Sequence, residues 1–376
     1  MTVDAGTGLA GLRIAHLIES DGPGGAERVV ATLATTLQTF GAQNVAFLPA
    51  GGEGWLERQL EGSGVEVEHF RLERPLSECA RSITAAFRRH HVDVAHSHEF
   101  SMAVYGAWAS WRAGVPHVVT MHGSRYYAGR FRRRLALRIA LALSGRTVAV
   151  SNSLADNLSQ DLWIPRGRIS MISNGVRYAR ATSTTLREEL RLTPKDRLLV
   201  SVGNLYPVKG HTHLVDAMRL LIARHPTVHL AISGRGELAE ALTAQARDNG
   251  IADRVHLLGL RSDVAAILAA ADVFVLPSLS EGLPLALLEA MVAGCPIVAS
   301  EVGEVSAVLE QGAAGVLVPP GDTRALAAAL DRVLGDVHLG RTLGERAACR
   351  AGAEYDVSHM VRQYAAAYNE LLRHGA

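Results

Sequence analysis

Cysteine is scarce in this chain. The three present, Cys79, Cys295 and Cys349, are far apart, odd in number and form no C-x-x-C pair. That excludes a disulfide framework and a cysteine zinc site, and it fits a reducing cytosol. Long apolar runs are also missing. No stretch of 18 apolar residues occurs, so no membrane-spanning helix is expected. The leader from Met1 to Gly11 is small and polar, unlike a secretory signal. Excess charge of one sign is absent as well: the formal net charge is +1, which excludes an overall attraction to nucleic acid. Low-complexity tracts, short repeats and the G-x-G-x-x-G dinucleotide fingerprint are not found either.

What is present is a long, evenly mixed chain. At 376 residues, 48% apolar and 20% charged, it is long enough for two domains that each bury a core. Short apolar runs alternate with helix-period segments. Strands are expected at 12–18, 44–48, 65–67, 92–98, 116–123, 147–151 and 169–176. After a polar linker at Tyr178 to Thr185 the alternation restarts, with strands at 198–203, 228–233, 254–258, 271–276, 296–300 and 314–318. A last helix is expected at 357–373. The pattern predicts two doubly wound α/β halves facing a cleft.

The stretch Pro277–Ala293, PSLSEGLPLALLEAMVA, organises the second half. An apolar strand leads into a polar loop, Gly282 gives backbone freedom, Pro284 suits a first helical turn, and Leu285 to Val292 reads as a buried helix. A helix N-terminus at a strand end is an anion site, because its free N–H groups and dipole favour negative charge. Glu281 lies in the loop, and Glu289 lies about 7–8 Å along the helix from Pro284 at 1.5 Å per residue. The same arrangement is also met in ordinary α/β units with solvated acids. Lys209, in the loop after the strand at 198–203, is a compact mobile charge suited to phosphate.

In the first half, Gly24 and Gly25 separate a first strand from a first helix, which suits either a phosphate loop or a plain tight turn. His96 and His98 end one strand and His122 ends another, followed by Gly123. Ligands bind beyond the carboxyl ends of strands in open α/β sheets, so these rings are well placed. A structural or substrate-edge role is expected for His96 and His98 rather than a metal, since no third ligand is near in sequence. His122 suits a hydroxyl contact or proton movement. From Arg125 to Arg138 the chain has six arginines and no acid. At helical spacing Phe131, Leu135, Ile139 and Leu143 form one stripe, with Arg130, Arg134 and Arg138 beside it. Such a helix either meets an anionic surface or packs its apolar stripe on the core behind a solvated basic face.

Several motifs in order carry a family resemblance: Gly24-Gly25-Ala26-Glu27, Thr120-Met121-His122-Gly123, Ser173-Asn174-Gly175-Val176, and Val202-Gly203 through Lys209-Gly210. Ser233-Gly234-Arg235-Gly236-Glu237 and the E-x7-E pair Glu281…Glu289 complete the set. Together they resemble the retaining glycosyltransferases of family 4, which have the GT-B fold. The resemblance implies an acceptor domain at 1–180 and a nucleotide-sugar domain at 186–356, with the last helix crossing back to the first. It implies a UDP- or GDP-linked sugar donor, no cofactor and no metal, in keeping with the lack of an Asp-x-Asp at a suitable strand end. By the same resemblance Glu289 holds the ribose, Lys209 the diphosphate and Glu281 the sugar hydroxyls. The Gly282–Leu283 backbone faces the phosphates and donor sugar. Asn204 and Gly234 line the donor, and Leu260 and Arg261 edge the base. Gly24 and Gly25 approach the diphosphate, and His122 contacts the sugar near the reacting carbon. Many members carry Arg where this chain has Asn204, and Asp where it has Arg177.

The implied activity is hexosyl transfer to a membrane-associated lipid or glycan acceptor, as in cell-surface polysaccharide or glycolipid synthesis. His98, Arg130, Arg133 and Arg134 then lie on the acceptor or membrane side. The protein is expected in the cytoplasm, peripheral on the inner face of the membrane, with no nucleic-acid partner. The alternatives are a soluble small-molecule acceptor, a sugar-nucleotide epimerase of the same fold, or a non-catalytic sugar-nucleotide-binding subunit.

Overall fold

The computed structural model describes residues 8–72, 75–123, 127–177 and 185–374. Arg125, most of the leader and residues 178–184 of the expected linker lie outside the described residues. The chain divides into two compact units, Met1–Gly175 with Val357–Ala376, and Val176–Asp356.

The first unit holds a seven-stranded sheet. Its strands are β1 (Arg13–Leu17), β2 (Gln43–Pro49), β3 (Glu66–Phe70), β4 (Val94–His98), β5 (His117–Met121), β6 (Arg146–Ala149) and β7 (Ile169–Met171). The order is β3-β2-β1-β4-β5-β6-β7, with every pair parallel. Parallel pairing requires a crossover between strands, and the intervening helices supply it while covering both faces. That is why β4 and β5 are buried at every position. The second unit repeats the plan with six strands: β8 (Arg197–Val202), β9 (Val228–Ser233), β10 (Val255–Gly259), β11 (Val273–Leu276), β12 (Ile297–Ser300) and β13 (Val316–Val318). Their order is β10-β9-β8-β11-β12-β13. Leu199, Leu230, Val275 and Val298 of this sheet pack with Leu214, Met218 and Leu330 of the covering helices into one apolar core.

Several expected elements shift. The run expected to continue to Val176 stops as a strand at Met171, because Asn174 and Gly175 leave the ladder; Val176 instead forms an isolated bridge with Asp356. β3 runs on to Phe70, which pairs with Pro49. His122 and Gly123 lie just beyond β5. Pro284 is the N-cap of the helix Leu285–Ala293, not part of its first turn. Lys209 closes a short 3-10 turn, Pro207–Lys209, because proline pre-sets its φ and Gly210 ends the turn at φ 65°.

The helix Val357–His374 belongs to the first unit and packs on the helix Gly25–Thr39. Its Tyr364 and Tyr368 are buried. Tyr368 Oη bonds His96 Nδ1 at 2.8 Å, His96 Nε2 bonds Thr120 Oγ1 at 2.7 Å, and Thr120 Oγ1 meets Tyr364 Oη at 3.1 Å. Buried polar groups are costly unless paired, so this closed chain specifies where the last helix docks. Tyr368→Phe leaves His96 Nδ1 without its partner. Chemical denaturation should show a loss of about 1–3 kcal/mol, and an unchanged midpoint would contradict a structural role for this network.

Candidate functional site

In each sheet the strand order reverses direction at one place, between β1 and β4 in the first and between β8 and β11 in the second. Loops leaving the strands on either side of such a switch point diverge, and the crevice at their carboxyl ends is where ligands bind in open α/β folds. In the second unit Lys209 and Glu281 meet there, and in the first unit Gly24, Gly25 and His98 lie on the loops and strand ends beside it.

In the second unit the loop after β8 and the loop after β11 meet directly. Lys209 Nζ donates to both oxygens of Glu281, at 2.7 and 2.9 Å. Ser278, buried, donates its hydroxyl to Glu281 Oε1 at 2.6 Å. The backbones are joined as well, by Leu279 N–H donating to Val208 O at 2.8 Å. Gly210 makes this possible: a Cβ there would collide with the carbonyl of Pro277. On the far side, Glu304 N–H donates to Gly282 O at 3.2 Å. The E-G turn is thus held from two directions. The carboxylate of Glu281 accepts three hydrogen bonds, and the ammonium keeps one N–H for another acceptor. His211, almost fully buried beside Lys209, is driven down to about 4 by loss of solvent and then by the lysine charge. It therefore stays neutral and adds no second cation.

Other expected donor residues fall around this pair. Asn204 is half-buried at the end of β8. Gly234 follows β9 with no room for a side chain, since a Cβ would strike the carbonyl of Gly203. It lets the two adjacent loops pack closely. Leu260 is half exposed after β10. Arg261, beside it, is held by Asp263 at 2.6 and 2.8 Å and by Glu189 at 2.9 Å, and these carboxylates push its pKa upward. The guanidinium is committed to the protein's own acids rather than joined to the Lys209–Glu281 pair. Leu283 is buried, Gly282 and Glu289 are half-buried, and Glu289 is the fifth residue of the helix Leu285–Ala293.

In the first unit the loop after β1 carries Gly24 and Gly25. Gly24 is the N-cap of the helix Gly25–Thr39, and a Cβ on it would overlap the Glu27 carboxylate. That carboxylate, buried and bonded by Ser20, lies over the start of its own helix. Gly24 thus accommodates an internal acid, while Gly25 has open space around it.

Across the switch point, His98 at the end of β4 and His122 beyond β5 share a hydrogen bond at 3.0 Å between Nδ1 and Nε2. His122 N–H donates to Glu99 Oε1 at 2.9 Å. His16 of β1, unnoticed in the sequence, completes the cluster: its ring stacks on His98 at 5.9 Å between centroids and is tilted against His96 at 5.7 Å. One nitrogen each of His16, His96 and His98 lies within 4.8 Å of the others. Both nitrogens of His96 are already bonded to hydroxyls. Burial lowers His16 and His122 to about 4 and His117 to about 3, and holds His96 and His98 well below 6.5.

Residues Arg130, Arg133 and Arg134 are not gathered at this cluster. Arg130 caps the helix Phe131–Leu143 and is exposed, while Arg133 and Arg134 are half-buried in its first turn. The helix seats on the unit through Leu137, Ala140 and Leu141. The apolar stripe faces outward: Phe131 is 64%, Leu135 46%, Ile139 52% and Leu143 43% exposed. This rules out packing of that stripe on the core, which the spacing alone had allowed.

Comparison with known proteins agrees with the fold and the motifs. Residues 23–180 match the family described as Glycosyltransferase Family 4, and residues 196–336 match Glycosyl transferases group 1. An Escherichia coli UDP-Gal:alpha-D-GlcNAc-diphosphoundecaprenol alpha-1,3-galactosyltransferase is 31% identical over 68% of this chain and 70% of its own. A Bacillus anthracis N-acetyl-alpha-D-glucosaminyl L-malate synthase is 28% identical over 78% and 79%. The crystal structure of Anabaena HepE in complex with UDP superposes with a TM-score of 0.84 at 25% identity, covering 96% of this chain and 100% of that one. The chain belongs to glycosyltransferase family 4 and has its GT-B fold.

The buried histidines set a pH dependence. In the unfolded chain each titrates near 6.5, whereas in the fold each stays neutral to a lower pH. Below about 6.5 the unfolded state therefore binds more protons. Stability is fully present above that pH and is lost progressively as pH falls toward about 4, where His16 and His122 titrate. Thermal unfolding should show a midpoint that falls steadily from pH 7 to pH 5, and a flat profile there would contradict it.

Proposed function

We propose that the chain transfers a hexosyl unit from a UDP- or GDP-linked sugar to a lipid-linked or glycan acceptor at an anionic membrane surface. The reaction retains the anomeric configuration and uses no metal. The observation that carries the acceptor side is the outward-facing apolar stripe of the helix Phe131–Leu143 with its arginines. An apolar stripe flanked by arginines and free of acids fits the interface of an anionic bilayer, where each basic side chain contributes about 1 kcal/mol. The helices Glu99–Ala113 and Asn152–Leu162 pack on either part of it. All three follow successive parallel strands by crossovers of one hand and so cover one face of the sheet. Exposed Trp111 and Trp163 stand at the far ends of the two flanking helices, the kind of side chain that sits at headgroup level. The helix Phe131–Leu143 follows β5 in the chain, and its stripe runs roughly 18 Å along the helix axis. The protein then works in the cytoplasm, peripheral on the inner face of the membrane. The diphosphoundecaprenol in the name of the Escherichia coli relative supports a lipid-linked acceptor, and the UDP bound to the Anabaena protein supports a nucleotide-sugar donor.

On this reading the second unit takes the donor. Lys209 and the N-terminus of the helix Leu285–Ala293 receive the diphosphate, Glu281 the sugar hydroxyls and Glu289 the ribose. As the bond from anomeric carbon to phosphate breaks, positive charge grows on the ring and negative charge on the leaving diphosphate. Fixed positive groups at the phosphate end do most to lower that barrier. The departing phosphate takes the acceptor's proton on the same face, which preserves configuration. Neutral His122 contacts the sugar without adding repulsive charge.

Glu289→Ala should weaken nucleotide binding roughly tenfold, equivalent to one charge-assisted hydrogen bond, as read by calorimetry with UDP and GDP. Glu281→Ala should lower kcat by about a hundredfold with smaller change in donor KM. Full turnover in both variants would remove the site assignment.

For the membrane part, Leu135→Ser with Ile139→Ser, or Arg132→Gln with Arg138→Gln, should abolish cosedimentation with phosphatidylglycerol vesicles. Sugar incorporation into a lipid extract should fall with it. Unchanged vesicle binding would refute the membrane reading and favour a soluble acceptor, as the L-malate in the name of the Bacillus relative would suggest. An epimer formed from donor alone would refute transfer altogether.

A further inference from the structure

Glu99 stands in the left-handed region with φ 66°, a conformation that side chains with a Cβ adopt against steric opposition. Such backbone strain persists where the surroundings over-determine it, and it often marks a functional constraint. Here the turned residue sends its carboxylate to the next strand end, where Oε1 accepts the backbone N–H of His122 at 2.9 Å. The preceding residue holds the other part of the same histidine. His98 Nδ1 and His122 Nε2 share a 3.0 Å hydrogen bond between rings tilted by 20°. The other ring nitrogen of His98, Nε2, is buried and has no hydrogen-bond partner among the described residues. Among the described residues the ring of His98 thus makes one hydrogen bond, to His122.

We infer that His98 and Glu99 are positioning residues that fix His122, Glu99 through its backbone and His98 through its ring. The inference rests on the reading that His122 contacts the donor sugar. A neutral imidazole carries one N–H, so the shared bond ties the two tautomers together. If His98 donates, the proton of His122 sits on Nδ1; if His98 accepts, it sits on Nε2. Inside the shared bond His122 therefore cannot change tautomer unless His98 changes with it. Its place is fixed by two contacts from consecutive residues on a rigid strand end. Reacting geometry is sensitive to displacements of about 1 Å, so these contacts should be visible in turnover more than in binding.

The test compares Glu99→Gly, which relieves the strain and removes the acceptor, with Glu99→Gln, which keeps both the strain and an acceptor oxygen. His98→Phe and His122→Ala are measured beside them. Nucleotide release from UDP-glucose, UDP-galactose and GDP-mannose is followed with a bacterial lipid extract as acceptor, together with thermal unfolding. Nitrogen-15 correlation spectra of the His122 ring report its tautomer independently of activity. The expected result is a Glu99→Gly protein as stable as the parent whose kcat falls roughly tenfold or more with little change in donor KM. Glu99→Gln should restore kcat to within about threefold of the parent. The parent should show one His122 tautomer, and His98→Phe a mixture.

Parental kcat in Glu99→Gly, with loss in His122→Ala, would overturn the positioning role and leave the reading of His122 intact. Parental kcat in His122→Ala would instead overturn that reading and this inference with it. A mixture of tautomers in the parent protein would overturn the part assigned to His98, whatever the activity. Equal loss of stability and turnover in Glu99→Gly and Glu99→Gln would assign Glu99 to the fold and overturn its positioning role.

Discussion

Parallel strand pairing is the constraint on which the rest depends. A parallel neighbour cannot be reached by a tight turn, so each strand is followed by a helix that returns the chain to the same edge. All carboxyl ends then collect on one side of each sheet, and where the winding reverses the loops part. In the second unit that reversal places the loop after β8 against the loop after β11. Lys209 and Glu281, 72 residues apart, thereby come within hydrogen-bond distance. The ion pair is a consequence of the topology. The glycine at 210 and the buried hydroxyl of Ser278 are the local adjustments that allow it.

The two units apply this plan to different chemistry. The second has a cation, a carboxylate that accepts three hydrogen bonds from Lys209 and Ser278, and a helix N-terminus, an arrangement suited to phosphate and polar sugar groups. The first has four clustered imidazoles, His16, His96, His98 and His122, all kept neutral by burial. Neutral rings supply hydrogen bonds without charge. The same network reaches Tyr364 and Tyr368, so the last helix is bonded to the strand ends behind His122. Integrity of the fold and placement of His122 therefore share residues in this unit.

Much of this was legible in the sequence, and the misses have physical causes. Parallel strands with buried centres read as short apolar runs, which is why β8, β9 and β12 were placed to within a residue. β7 was overextended because Asn174 and Gly175 follow its apolar residues without a proline to mark the end. Lys209, Glu281 and Glu289 were recognisable from spacing and family motif. Ser278 and Glu99 were not, because their importance lies in a single contact to a residue already singled out. His16 was missed because its partners are 80 and 82 residues away, on β4. Arg261 was recognised as a site residue, yet Asp263 and Glu189 hold it, and one of those acids lies 72 residues distant.

The sequence by itself determined the alternation of strands and helices, the family and its fold, and which residue types stand at the strand ends. These follow from local periodicity and from motifs that are contiguous in the chain. Only the tertiary structure decided which way the helix Phe131–Leu143 turns. Its spacing allows either stripe to face the core, and the choice was made by Leu137, Ala140 and Leu141 finding a seat on neighbouring helices. The same holds for the strained turn at Glu99 and the neutrality of the histidines. Burial and partner geometry belong to the packed molecule, since they depend on side chains brought together from strands far apart in the sequence.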